Sequence, residues 1–588
     1  MDPEKQRLTE NNFELQENEA YLAEEEFGEK SNQNQRIDVE EEQKEISNTP
    51  KGCKEDEDTA FSNPSNTENS DSQSEPLKQV DVDEFLIHIG QFGRAQKLLL
   101  LMFYLLEVPH SYHTLSWFFT GHSPPWRCSL TNNLTRAQCN STAVYDIGDP
   151  FYEQRCFMER DAWNYTLPRS YSIVTEWDLV CDKKEYPFLA NSLMWIGWAA
   201  GAFVLGFVSD KYGRKKVLMI SFSGMITFAF TCAFLHQFWI YALMAFLIGF
   251  CQGGIALTIY VMASEFVGPK YKSLASGALT GLTYTLSLCL LSFQSWLMPE
   301  WRKLLVVTSF PYLILLFSFG LMPESIRWLR LNLKSQECED VLRSICQFNG
   351  RKWPDIVLRP PLKTEDRNGS LFSLFTHSRL ATNTLVQGFV WFVIGQVYFG
   401  ISLASDQLGG NIYRDFVLTS LVGIPGNILV IVLTNKYGRK PTLIGSMAVG
   451  SFSCIGVSLI NPLSELIWLR VTFGMIGQLC LALAFSSMYS WSLELMPTII
   501  RSQAIGLLGV LIRFGGSSAP WVSQWLEHFH YTLPFAVMGS LALVASGLCV
   551  RLPETLNVPT IETIDDAKRH LKGEEFAKPL TNNIISNA

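Results

Sequence analysis

Several things are missing from this 588-residue sequence, and each absence removes a class of function. The first 30 residues hold no apolar run, which argues against a cleavable secretion signal. No Gly-x-x-x-x-Gly-Lys-Ser/Thr segment occurs, so nothing suggests ATP use. No His/Glu metal spacing or nucleophile elbow stands out. A membrane enzyme would therefore lack a site, and neither cofactor nor metal is expected. No basic, aromatic-interleaved patch suggests nucleic acid, and the net charge of −9 comes largely from an acidic N-terminal stretch.

What the chain does have is hydrophobic length. Hydrophobic residues make up 47% of it and collect in repeated runs of about 20 residues, enough to cross a bilayer about 30 Å thick. Twelve spans are predicted. They lie at about Lys97–Phe119, on either side of Asp210–Lys216, and at Trp239–Ala263, Leu274–Ser295, Lys303–Leu321 and Asn383–Leu403. The eighth ends at Asn435, the ninth begins at Pro441, and the last three are about Leu466–Tyr489, Ser502–Trp525 and Leu533–Val550. Residues 1–83 hold too few apolar groups to offset their ordering entropy. They read as a disordered cytoplasmic tail, with capture of a cytoplasmic partner as the alternative. Asp81 to Arg94 reads as a short amphipathic lead-in. The remaining divisions are a first half at 84–322 with a large loop at 121–184, a link at 323–380, a second half at 381–551 and a tail at 552–588.

Two loops organise this pattern. Asp210-Lys211-Tyr212-Gly213-Arg214-Lys215-Lys216 separates two apolar runs, and Asn435-Lys436-Tyr437-Gly438-Arg439-Lys440 does the same again. Such loops cannot lie in hydrocarbon, and their basic residues mark the cytoplasmic side. Lys270, Lys272, Arg327, Arg330 and Arg501 join them there if both termini are cytoplasmic. The loop at 121–184 is then outside. Asn133, Asn140 and Asn164 begin glycosylation triplets within it. Cys128, Cys139, Cys156 and Cys181 permit two disulfides, with three connectivities open. Tyr260, Glu265, Lys272, Ser273, Ala275 and Gly277 are spaced as Tyr489, Glu494, Arg501, Ser502, Ala504 and Gly506, and Pro323-Glu324-Ser325 matches Pro553-Glu554-Thr555. A duplicated membrane chain of this kind predicts an all-α polytopic protein, with twelve transmembrane helices in two pseudo-symmetric six-helix halves.

The paired loops resemble the signature of the major facilitator superfamily. Phe92-Gly93-Arg94, Thr175-Glu176-Trp177-Asp178-Leu179-Val180-Cys181, Pro323-Glu324-Ser325-Ile326-Arg327-Trp328-Leu329, Leu408-Gly409-Gly410-Asn411-Ile412-Tyr413 and Glu494-Leu495-Met496-Pro497-Thr498-Ile499-Ile500-Arg501 resemble its organic-ion transporters, which handle organic cations, anions and zwitterions such as carnitine. The resemblance implies a plasma-membrane carrier working by alternating access. It also implies that the position of Arg513 is acidic in cation carriers and Arg in anion and carnitine carriers. Relatives usually carry Glu where Gly423 stands, Lys in many anion carriers where Asn427 stands, and Arg in the fourth span where Ala245 stands, although Arg470 is present in the tenth.

An ionisable residue inside a span is costly and is a functional candidate by default. Arg513 offers a fork of donors suited to a carboxylate or sulfonate. Glu107, His110 and His113 share one face of the first span. Glu107 is a candidate counter-charge for Arg513, half of a zwitterion site or a proton carrier; the histidines read as interfacial. Tyr284, Trp391, Tyr398, Tyr489 and Trp491 are candidate cavity aromatics, with Gln387 and Gln396 orienting substrate. Asp210, Arg214, Glu265, Arg327, Arg439, Glu494 and Arg501 are expected to pair across helices as a cytoplasmic gate. The function expected is transport of a small organic anion or zwitterion, coupled to H⁺, Na⁺ or an exchanged anion. Cation transport and a transport-inactive receptor or scaffold are the alternatives.

Overall fold

The computed structural model describes residues 78–129, 143–146, 149, 151–272, 274–275, 279–359, 373–376, 378–408, 411–461, 465–497 and 500–556. All belong to one compact unit, Pro76–Ala588. In chain order, β1 (Lys78–Val80) and α1 (Val82–Ile89) precede α2 (Arg94–Leu115). The large loop folds into an antiparallel sheet of β2 (Trp126–Cys128), β3 (Val144–Tyr145) and β4 (Trp163–Tyr165), in the order β3-β2-β4. The first half continues through α3 (Tyr186–Tyr212), α4 (Arg214–Cys232), α5 (Phe238–Glu265), α6 (Leu279–Leu297) and α7 (Trp301–Ser309), which runs on in helical turns to Leu321. The link holds α8 (Ser335–Phe348) and β5 (Ile356–Leu358). The second half contains α9 (Ser378–Leu403), α10 (Ile412–Leu421), α11 (Gly423–Tyr437), α12 (Arg439–Leu459), α13 (Ile467–Leu495), α14 (Arg501–Pro520) and α15 (Leu533–Cys549).

Among the described residues, nine helices are long and apolar enough to cross a membrane, α10 and α11 together forming one of them; α15 is a shorter apolar helix. Helices α2 and α6 fall outside that set because they are polar, and their polar groups are turned inward. Glu107, His110, Ser111, His113 and Thr114 are buried on α2. On α6, Thr285 and Ser287 bond back to the carbonyls of Gly281 and Thr283. The core is divided to match: one apolar cluster fills each half, and a third, including Phe118, Trp195, Phe399 and Phe416, lies where they meet.

Glycine sets how closely α3 and α5 approach. A Cβ on Gly201 would sit 1.9 Å from the Phe250 carbonyl oxygen, and one on Gly253 would sit 2.2 Å from the Ala202 nitrogen. Small residues one turn apart let two backbones touch, which replaces the hydrophobic drive that lipid cannot supply. Gly201→Ala is expected to cost about 1–3 kcal/mol through overpacking, seen as a lower thermal midpoint of the purified protein. An unchanged midpoint would contradict the close approach.

Order begins earlier than the acidic composition suggested. Residues 78–83, read as tail, pack against the first half and the link. β1 pairs in parallel with β5, and Val80, Val82, Phe85, Leu86 and Ile89 are buried. Asp81 bonds Arg330 at 2.7 Å, and Asp83 bonds Lys272 at 2.7 Å and Arg327 at 2.6 Å. Burial alone would raise the Asp83 carboxyl, but the Lys272 and Arg327 cations outweigh it and hold it below the usual carboxylate range. The sign follows: with the folded value depressed, the stabilisation is complete at neutral pH and is lost as acid takes the pH down through that folded value. Asp83→Asn is expected to release β1–α1 by at most about 1 kcal/mol, read as roughly fivefold faster amide exchange at 78–89 at neutral pH. Unchanged exchange would show that the apolar contacts suffice.

Candidate functional site

The two basic loops build matching brackets. After Gly213, the backbone N–H groups of Arg214 and Lys215 donate to Glu324; after Gly438, those of Arg439 and Lys440 donate to Glu554. Gly213 and Gly438 have φ of 110° and 101°, which explains glycine at both turns. Each glutamate sits at the start of a helix, where free N–H groups favour an anion. Arg214 then pairs with buried Glu265 at 3.0 Å, and Arg439 with Glu494 at 2.8 Å. Ser325 and Thr555 donate to the same two carboxylates.

The expected pairing of the loop arginines with carboxylates on neighbouring helices is seen at Arg214–Glu265 and Arg439–Glu494, while Asp210 and Arg327 depart from it. Among the described residues, these ion pairs stay within one half, because each arginine opens a helix whose neighbour in the same half supplies the carboxylate. Asp210 is exposed and only 3.9 Å from Arg214. Arg327 turns to Asp83 rather than to Glu265. The side chain of Arg501 lies outside the described residues. At the face bearing the loop 121–184, contacts do cross between halves. Ser192 donates to the Ser517 carbonyl at 2.7 Å, Trp521 donates to Ser192 at 2.9 Å, Phe118 stacks on Phe416, and Phe119 stacks on Tyr413. Towards the basic face the halves meet through Tyr260 and Tyr489, with ring centroids 5.4 Å apart.

Arg513 lies between these two zones on α14. Its Nη1 donates to the Gly509 carbonyl, its Nε is buried without a protein partner, and its guanidinium lies 5.0 Å from the Trp198 ring of the other half. Among the described residues, no carboxylate is paired with it. Glu107 instead contacts His110 Nδ1 at 3.1 Å, which corrects the idea of a direct counter-charge. His110 meets the same Trp198 edge-on at 5.4 Å. One indole thus stands between the imidazole of α2 and the guanidinium of α14. Both histidines are buried, at 3% and 2% exposure, so they are not interfacial.

Aromatic rings complete the surroundings. Tyr489 stands within electrostatic reach of Arg513, and Trp391 lies 5.8 Å from Tyr489 with its indole N–H bonded to Ser492. Tyr398 packs on Phe485 at 5.9 Å, and Tyr284 is within electrostatic reach of both Tyr398 and Glu107. Tyr284 Oη, Gln387 Oε1, both polar side-chain atoms of Gln396, and the indole nitrogens of Trp195 and Trp198 are buried without protein partners. Each such atom would cost about 1–3 kcal/mol in a dry core, so their concentration marks a polar interior. Trp491 does not belong to it: the ring is fully buried and bonds the Pro553 carbonyl beside the second bracket. Trp198, Trp195 and Phe485 were not singled out from the sequence, because aromatics in an apolar run resemble packing or lipid-facing residues.

Near the other singled-out positions, a Cβ on Gly423 would meet Thr285 Oγ1 at 3.0 Å, and Asn427 lies against Gly281 and accepts from Ser486. In the outer loop, Cys156 and Cys181 form a disulfide; Cys128 is disulfide-bonded too, while Cys139, Asn133 and Asn140 lie outside the described residues. Asn164 is exposed on β4.

The family model for the Major Facilitator Superfamily matches residues 185–520 and, in a second placement, 416–582. Solute carrier family 22 member 15 of Xenopus tropicalis is 30% identical over 501 residues, covering 83% of this chain and 91% of that relative. The chain belongs to the organic-ion transporter family of the major facilitator superfamily. The transporter is also 29% identical to the organic cation transporter-like protein of Drosophila melanogaster, over 83% of the chain and 92% of that protein. It is 29% identical to organic cation/carnitine transporter 4 of Arabidopsis thaliana, over 84% and 92%. Its fold is that of the E. coli xylose transporter XylE in an inward-open conformation, with a TM-score of 0.53 at 13% identity, over 81% of the transporter and 99% of that chain.

Proposed function

We propose that this transporter carries small organic anions or zwitterions such as carnitine across the plasma membrane by alternating access, through twelve spans with both termini cytoplasmic. The observation that carries the reading is Arg513: a guanidinium set between the halves, with no carboxylate of the described protein paired to it. A substrate carboxylate or sulfonate supplies the missing negative charge. Trp391, Tyr489, Tyr398 and Tyr284 form the wall beside it, suited to an amphiphilic body or, in a zwitterion, a quaternary ammonium group. Gln387 and Gln396 orient the substrate. The indole of Trp198 belongs to the other half, so closure on a bound anion draws the halves together.

The intra-half pairs Arg214–Glu265 and Arg439–Glu494 keep each half rigid while they rock. The loop at 121–184 faces outward, with Asn164 available to glycosylation. Uptake of p-aminohippurate, carnitine and tetraethylammonium into cells expressing the full chain tests the reading. Saturable entry of either carboxylate is expected. Entry of tetraethylammonium alone would overturn the substrate class, and full surface expression with no uptake would favour the receptor alternative.

A further inference from the structure

Ala245 and Arg470 are separated by the 225 residues that also separate Gly213 from Gly438. In the second half, Arg470 is buried and donates to the carbonyls of Val457 and Ile460, at the end of α12. In the first half, the carbonyl of Leu235, which matches Ile460, and that of Ala233 two residues earlier are taken by Arg302 of α7, which Glu176 holds. The capping role has passed to another element, and the space an arginine would fill at 245 is open. A cavity lies there, lined by His113, Ser116, Trp117, Asn191, Tyr241 and Ala245 among others. Asn191 Oδ1 and Trp117 Nε1 are buried beside it without protein partners, which makes it a site for water.

His113 is one turn from His110, and His110 contacts Glu107. The cavity is therefore the outer end of a string of titratable groups along one face of α2, whose middle member, His110, lies one indole away from Arg513. We propose that Glu107 and His110 form a proton-binding pair, reached from the loop face through the cavity beside Ala245, and that a bound organic anion crosses together with that proton. The inference rests on the organic-anion reading for its cargo, but not for its proton site.

The groups facing the string are few. Cys232 of α4 and Tyr241 of α5 line the cavity, and Ser309 of α7 contacts His113 at 3.4 Å. Gln252 of α5 donates to the His110 carbonyl, Tyr284 of α6 is within electrostatic reach of Glu107 and of Tyr398 of α9, and Arg513 of α14 lies beyond Trp198. Glu107 is the one carboxylate among these groups. An arginine at 245 would put a fixed positive charge beside His113 and repel a proton; alanine lets one enter. The exchange is balanced: a proton leaves outer water, is held by Glu107 and His110, and returns to water on the other side. One proton with one monovalent anion moves no net charge.

Infrared titration of the purified full-length protein tests the site without any substrate. The band of a buried protonated carboxyl should grow on acidification, vanish in Glu107→Gln, and need lower pH in Ala245→Arg. Survival of the whole band in Glu107→Gln, or an unmoved midpoint in Ala245→Arg, overturns the proposal. His113→Asn, which adds no bulk, should also slow the proton's entry if Ala245→Arg fails to fold. In proteoliposomes, a one-unit inward pH gradient should drive up to about tenfold accumulation of p-aminohippurate in the unaltered protein and none in Glu107→Gln. Gradient-independent uptake overturns the coupling alone, whereas a titrating Glu107 with no anion uptake overturns the organic-anion reading instead.

Discussion

Arg513→Ala is expected to cut saturable uptake of organic anions sharply while leaving the protein at the cell surface. Truncating one member of a buried, hydrogen-bonded charge pair costs about 2–5 kcal/mol, so transport efficiency should fall by about 30-fold to several thousand-fold. Arg513→Lys keeps the charge but loses the planar fork, and should retain part of the activity. The loss should be specific. Arg513 makes one bond to its own helix, at Gly509, and a ring contact with Trp198, so alanine removes little packing. Surface labelling together with p-aminohippurate uptake separates the outcomes. Equal loss of surface protein and uptake would mean that Arg513 holds the helices together rather than the substrate.

The second large effect is on stability at the first bracket. Arg214→Ala strands Glu265, whose side chain is 8% exposed, and removing one partner of a buried pair costs about 3–5 kcal/mol. Arg439→Ala should cost less, because Glu494 is 33% exposed and water can replace the lost partner. The thermal midpoint of Arg214→Ala should therefore fall well below that of Arg439→Ala. Equal losses would show that burial does not rank the two brackets. Asp210→Asn should change little, since that carboxylate is 76% exposed.

The sequence made the repeat legible because the loops after Gly213 and Gly438 must be short, polar and basic in any membrane orientation. It made Arg513 legible because a cation deep in an apolar run has no cheap explanation. It did not show which partner each charge chooses. Arg214 and Glu265 lie 51 residues apart in the chain, and nothing local says that the pair closes within one half rather than across to the other. Glu107 looked like a partner for Arg513, yet a histidine one turn away reached it first. Trp198 was hidden because its role depends on a helix more than 300 residues later in the chain. Hydropathy outlines a span best where apolar residues fill it. The inward-facing serines, threonines and histidines of α2 and α6 blur it, because they pay for burial through hydrogen bonds rather than through apolar area.

The proposed substrate class depends on Arg513 reading a negative charge on the substrate. The most direct measurement compares uptake of p-aminohippurate with uptake of its neutral amide, in the unaltered protein and in Arg513→Ala. Strong preference for the carboxylate, lost in the variant, is the predicted result. Equal uptake of both compounds by the unaltered protein, or a preference that survives in Arg513→Ala, would contradict it.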